Sequence, residues 1–278
     1  MSLQRRHFLA TGLCLLPASG ARAQTPVRPG TPDAAAGERI VERFPPPDGY
    51  ALSPATGFAA WLGQLPLRRA GEAAMLHDGR RRADQSGVAA VLDIDVGSAD
   101  LQQCADAIIR LRAEYLRAGG RRDALRFRFT SGDAYAYADY LAGRRPLVRG
   151  NAVAWISGAP VADTRAGFRA WLDIVFTYAG TISLARELDP LGDPLQAAAG
   201  DVLVQAGSPG HAILVAATAR RANHPPVALF VQSFMPAQSI HVLRGPLAAA
   251  WYPVAADAPV VTPDWRFLPA HWRRFPRV

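Results

Sequence analysis

Apolar side chains recur every three or four residues after Asp100. Leu101, Cys104, Ala105, Ile108, Leu111 and Tyr115 share one stripe, which predicts an amphipathic helix. Ser98 or Asp100 is its expected cap, and it runs to Arg117 and stops at Gly119-Gly120. Thr164 begins another helix, with Phe168, Trp171, Leu172, Val175, Phe176 and Ala179 on its buried stripe. Shorter helices are expected over Phe58–Leu65 (closed by Pro66), Asp133–Leu141 and Ser183–Leu188. Strands are expected over Val88–Val96, where an apolar run leads to Asp93 and Asp95 on one face, and over Leu125–Phe129. From Gly200 the pattern changes. Asp201–Val204, Ala212–Ala217, Val227–Val231 and Ser239–Leu243 are short apolar runs separated by turn residues. Helices first and a mainly antiparallel sheet afterwards give an α+β fold class.

The ends of the chain read differently. Arg5-Arg6-His7-Phe8-Leu9 fits a twin-arginine signal, an apolar stretch follows, and Ala21-Arg22-Ala23 is a small-x-small cleavage site. Residues 1–23 are therefore read as a removable signal peptide and the protein as exported, to the periplasm. Residues 24–50 are rich in Pro, Gly and Ala and read as a linker or surface strap. Residues 51–278 remain as a single globular α+β domain. No other stretch is long and apolar enough to span a bilayer.

Composition narrows the chemistry. The formal charge is +8, yet all 31 basic residues are arginine and there is no lysine. That excludes a Schiff-base lysine, a P-loop lysine and a kinase-type lysine. Arginine, alanine, glycine and proline are abundant together, as a GC-rich genome gives, so the basic balance is not read as a nucleic-acid signal. No His/Cys spacing resembles a metal site, and no cofactor is expected. Oligomeric state is not legible.

Cys14 lies in the signal, so Cys104 is the one cysteine of the mature chain. A lone thiol in an exported protein has no internal disulfide partner and is a core filler, an intermolecular partner or a reactive group. A helix start favours the thiolate. His211, after the Gly207-Ser208-Pro209-Gly210 turn, stands at the mouth of a strand where it can act as base toward a thiol. Gln232 ends the next strand and is the candidate to orient the imidazole, with Asp201 behind it and His241 one strand further on. Gln102 and Gln103, with the Cys104 backbone N–H, are candidates to bind an oxyanion. Asp93 and Asp95 could pair as acids, or lie at a solvated strand end. Trp265-Arg266-Phe267 and His271-Trp272-Arg273-Arg274-Phe275 interleave arginine and aromatics, which suits a packed C-terminal strap with cation–π contacts.

The strings Asp100-Leu101-Gln102-Gln103-Cys104-Ala105-Asp106-Ala107, Phe129-Thr130-Ser131-Gly132, Tyr178-Ala179-Gly180-Thr181, Pro209-Gly210-His211-Ala212 and Gln232-Ser233-Phe234-Met235-Pro236-Ala237-Gln238 resemble an uncharacterised family of exported bacterial proteins, catalogued as a domain of unknown function. That resemblance implies no activity. The order Cys104, His211, Gln232 is also similar to papain-like and transglutaminase-like cysteine enzymes, where a cysteine opens a helix and a Gly-His-Ala strand start follows. It implies a cysteine hydrolase or acyltransferase of the cell envelope, acting on an amide bond in a peptide or in cell-wall material. Cys104 would be nucleophile, His211 base and Gln232 orienter. The competing expectation is a non-catalytic exported binding protein with Cys104 in its core.

Overall fold

A computed structural model describes residues 37–276. The segment read as a signal peptide, and that read as a strap as far as residue 36, lie outside the described residues. From Gly37 onward the chain is already part of the packed body. Ile40 and Phe44 are buried and join the core, and Ile40 N–H bonds Leu65 O at 3.2 Å.

The centre is a nine-stranded sheet in which every pairing is antiparallel. Its order is Val88–Val91, His241–Leu243, Val227–Gln232, His211–Arg220, Val202–Gln205, Trp272–Arg274 and Asp189–Pro190. Ala51–Leu52 adds to the far end of the His211 strand, and Trp251–Pro253 to the start of the Val227 strand. The α+β class holds. A helices-first order is not clearly supported, because Ala51–Leu52 and Val88–Val91 precede the Cys104 helix and belong to the sheet.

Both faces of the sheet are covered, which explains the near-continuous apolar runs. Val202, Val204, Ala212, Leu214 and Val231 point to the helix face, where they meet Ala105, Ile108 and Leu111 of the helix Cys104–Ala118. Leu203, Ile213, Val215, Ala228 and Phe230 point to the other face, under Tyr252, Val254, Phe267 and Trp272. The C-terminal segment is therefore the second cover, and its Trp272–Arg274 strand extends the sheet. Arg112 lies over the Phe275 ring at 5.0 Å, one of the cation–π contacts expected of a packed strap.

The stripe after Thr164 forms as read. Thr164 Oγ1 accepts the Gly167 N–H at 3.0 Å, and Phe168, Trp171, Leu172 and Val175 of the helix Arg165–Tyr178 are fully buried. Burying such side chains stabilises the fold by roughly 1.5–3 kcal/mol each. Other expectations need correction. Asp133–Leu141 is a strand, Ala134–Ala136, before a short helix, Tyr137–Leu141, because Tyr135 pairs opposite Phe127. The strand expected over Val88–Val96 is Val88–Val91, with one further bridge at Leu92, and Asp95 beyond it turns to the arginines Arg110 and Arg169. A hairpin, Arg144–Arg149 with Ala152–Ser157, was not anticipated.

Candidate functional site

The cysteine turn is built from its own sequence. Cys104 is the first residue of its helix, which starts several residues later than a cap at Ser98 or Asp100 would put it. Asp100, one of the expected caps, serves elsewhere. Asp100 Oδ1 accepts the Ala237 N–H at 2.6 Å and Gln103 Nε2–H at 3.1 Å. Gln103 is the N-cap, and Asp106 returns a carboxylate oxygen to the Gln103 N–H at 3.1 Å. Ser233 Oγ lies 2.9 Å from the Gln102 carbonyl oxygen and 2.9 Å from that of Gln238. The Gln-Gln-Cys and Gln-Ser-Phe-Met-Pro-Ala-Gln strings are thus stitched together. So are two others: Thr181 Oγ1 donates to Gly207 O at 3.2 Å, which ties Ala-Gly-Thr to the Gly-Ser-Pro-Gly turn.

Sheet geometry places the thiol. Val215 N–H donates to Asp201 O at 2.8 Å, so along the His211 strand residues 215, 213 and 211 bond toward Val202–Gln205. Ala212 and Leu214 bond the other way, toward the Val227 strand, and that strand ends at Gln232. With no strand partner there, the Ala212 N–H faces the Cys104 thiol. Cys104 therefore plugs the end of the ladder and is 4% exposed.

His211, Gln232 and His241 share the opposite face. His211 is 0% exposed, its ring enclosed by Phe234, Trp265 and Phe267 at centroid distances of 4.9, 5.3 and 5.7 Å. Its Nε2 is 2.8 Å from Gln232 Oε1. Gln232 Nε2 donates to Asp264 Oδ2 at 2.6 Å and lies 3.4 Å from His241 Nε2. Asp264 Oδ1 accepts from Arg82 at 2.5 Å, and His241 Nδ1 lies 3.0 Å from Ser239 O. His211 Nδ1 is buried and has no hydrogen-bond partner, the thiol included.

Burial dominates the electrostatics. It pushes the Cys104 thiol up to about 11, and the nearby Asp106 carboxyl acts the same way. The N–H groups of Ala212, Ala105 and Cys104 pull downward but do not offset it. The thiolate expected of a helix start is therefore not the resting form. Burial also lowers His211 to about 4, against the Gln232 hydrogen bond and the Asp264 charge, and lowers His241 to about 4. Asp106 is raised well above its ordinary value because it is wholly buried. The resting site is a neutral thiol and a neutral imidazole at one end of one sheet.

Other expected residues are placed as follows. Gln102 is structural: its Oε1 accepts from Arg110 at 2.9 Å and its Nε2 donates to Asp95 O at 3.3 Å, so its side chain is not available to an oxyanion. Gln103 is half-buried beside the cysteine and its amide reaches only Asp100. Asp201 does not stand behind Gln232. It opens the Val202–Gln205 strand at the end far from His211 and holds Arg274 with two contacts of 2.6 Å. The carboxylate behind Gln232 is Asp264, which sequence reading missed. Its one signal is an acid in the Thr262-Pro263-Asp264-Trp265 turn, beside an aromatic. Asp93 and Asp95 are not an acid pair, since Asp93 faces Arg68 and Asp95 faces Arg110 and Arg169.

Among the described residues no helix is long and apolar enough to cross a membrane. The family described as "Domain of unknown function (4846)" matches residues 40–274. No curated protein and no solved structure matches.

Proposed function

The chain belongs to that family of unknown function, and we propose that it is a cell-envelope cysteine hydrolase or acyltransferase with a papain-like arrangement, acting on an amide bond of a peptide or of cell-wall material. One observation carries this reading. His211 has a single unpartnered ring nitrogen, Nδ1, and the amide of the very next residue faces the lone thiol. A buried imidazole nitrogen with a free lone pair, one residue from an amide that faces the thiol, is able to accept that thiol's proton.

The chemistry follows from the resting charges. Cys104 holds its proton until a carbonyl carbon is presented. Sγ then attacks, and its proton passes to His211 Nδ1. The Cys104 and Ala105 N–H groups at the helix start, with the Gln103 side chain, stabilise the oxyanion. The imidazolium returns the proton to the leaving amine, which departs as the carbonyl re-forms in a thioester. Water, or an acceptor amine, then attacks the thioester, again giving its proton to Nδ1, and the thiol is regenerated. The aromatic rings around His211 keep water from the imidazole between these steps.

The deciding experiment is the rate of Cys104 alkylation by iodoacetamide against pH, in the wild type and in His211→Ala. The proposal expects the wild type to react at pH 7 at least tenfold faster than the variant. A thiol acting alone instead follows its thiolate fraction, rising about tenfold per pH unit toward its raised pKa, and ignores His211. That result favours the second reading, a non-catalytic exported binding protein with Cys104 in the core. Its specific support is the 4% exposure of Cys104 and the packing of His211 on the face away from the cysteine helix.

Export belongs to the same proposal. The chain is carried folded by the twin-arginine route to the periplasm, so the thiol is buried before it meets oxidants. Replacing Arg5 and Arg6 together by Lys should abolish export, read by fractionation. Normal export of that variant overturns the route.

A further inference from the structure

We infer that Asp264, anchored by Arg82, is a positioning residue that decides which ring nitrogen of His211 carries the proton, acting through the Gln232 amide. A carboxylate only accepts hydrogen bonds. The Gln232 group 2.6 Å from Asp264 Oδ2 is therefore the NH2 end, and its carbonyl end is turned to His211. An amide oxygen only accepts, so His211 Nε2 must be the protonated nitrogen and Nδ1 the lone pair. The remaining Gln232 N–H points to His241 Nε2 at 3.4 Å, so that nitrogen must be an acceptor. His241 Nδ1 is then the donor to Ser239 O at 3.0 Å. The two buried histidines are thus in opposite tautomers, His211 set through Gln232 by Asp264 and His241 by Ser239 O as well, and Arg82 holds the carboxylate by its other oxygen at 2.5 Å.

Ser239 O, which only accepts, favours the same amide direction through His241, but across a longer 3.4 Å contact; the charged Asp264 oxygen at 2.6 Å is the stronger determinant. Without Asp264 the amide can turn over in part of the molecules, present N–H to His211 and move the ring proton to Nδ1. That form has no lone pair there and cannot take a proton from a thiol. The catalytic consequence rests on the reading of His211 as base. The tautomer assignment does not.

The test is the two-bond nitrogen–proton NMR spectrum of the full mature chain with 15N-labelled histidine at neutral pH, recorded alongside iodoacetamide alkylation of Cys104. In the wild type we expect His211 protonated at Nε2 and His241 at Nδ1. In Asp264→Asn, His211 should show a substantial Nδ1-protonated population, and alkylation at pH 7 should fall about tenfold. Arg82→Met, which keeps the carboxylate but frees it, should shift the same populations to a smaller extent, and Asp264→Glu should restore the wild-type pattern. A wild-type His211 protonated at Nδ1 overturns the inference and needs no variant. Asp264→Asn with unchanged tautomers overturns it too. A slow, His211-independent thiol beside histidines in the expected tautomers sinks the cysteine-nucleophile reading and leaves this inference standing.

Discussion

Two buried polar networks lie at the two sides of the cysteine turn, and they are finished to different degrees. Around Arg110, 2% exposed, every nitrogen of the guanidinium has a partner: Glu114 at 2.7 Å, Gln102 Oε1 at 2.9 Å and Asp95 at 2.9 Å. Arg165 closes Glu114 and Arg169 closes Asp95. Around Gln232, the amide is saturated by His211, Asp264 and His241, yet His211 Nδ1 and Arg82 NH1 are buried without partners. A saturated network fixes one geometry, and it fixes the turn that presents Cys104. A network with an open end can give or take a proton. The difference separates scaffold from candidate chemistry although the two share residue types and burial.

The sharpest way to break that comparison is at the scaffold. Arg110→Met removes three charge-assisted hydrogen bonds and leaves Glu114 to Arg165 and Asp95 to Arg169. Breaking a buried ion pair by deleting one partner costs about 3–5 kcal/mol. Urea unfolding should show a loss in that range, and Arg110→Lys should recover only part of it, since an ammonium lacks the fork. A loss below about 1 kcal/mol would remove the distinction drawn between the networks.

Acid titration comes next in size and tests the other network. His211 and His241 each sit near 4 when folded, against 6.5 for a free histidine. The unfolded chain binds those protons first. The stability they carry is therefore fully present above about 6.5 and drains as pH falls toward about 4. At full titration the linkage is on the order of 3 kcal/mol for each histidine. Glu187, raised to about 7 by burial, and Asp106, also raised, act in the opposite sense within part of this window. The histidine contribution is therefore read as a difference: the wild type should lose more stability between pH 6.5 and 4 than His241→Gln does. Parallel curves would mean that His241 is not held neutral.

Local pattern carried some of this into the sequence and long-range pairing did not. Thr164 and its stripe were legible because a helix cap and a 3.6-residue period are local facts. That Gln232 ends one strand and His241 lies on the next was legible from local apolar runs and turn residues; that the two stand opposite each other is set by the pairing. The start of the cysteine helix was misplaced by several residues because Asp100 is committed to Ala237, 137 positions away. Asp264 was invisible for the same reason. It meets Gln232 from 32 residues downstream, across a face that the C-terminal segment covers. The direction of the Cys104 shift was misread because a helix terminus is a local feature and desolvation is set by the whole fold.

The smallest expected effect concerns Cys104 itself. Its thiol ends a strand ladder by facing the Ala212 N–H, and it is buried at the first residue of its helix. Cys104→Ala removes one atom and leaves a small cavity, for a cost of about 1 kcal/mol. It also leaves the Ala212 N–H without an acceptor, whereas Cys104→Ser keeps one, so serine should be no worse than alanine to within about 0.5 kcal/mol. Both variants should lose all iodoacetamide labelling, and neither should alter the His211 and His241 tautomers, which are set from Asp264 and Ser239 O. A loss above about 3 kcal/mol for Cys104→Ala would place the thiol with Arg110 among the parts that hold the fold. The open end of the Gln232 network would then face a structural plug and not a reactive group.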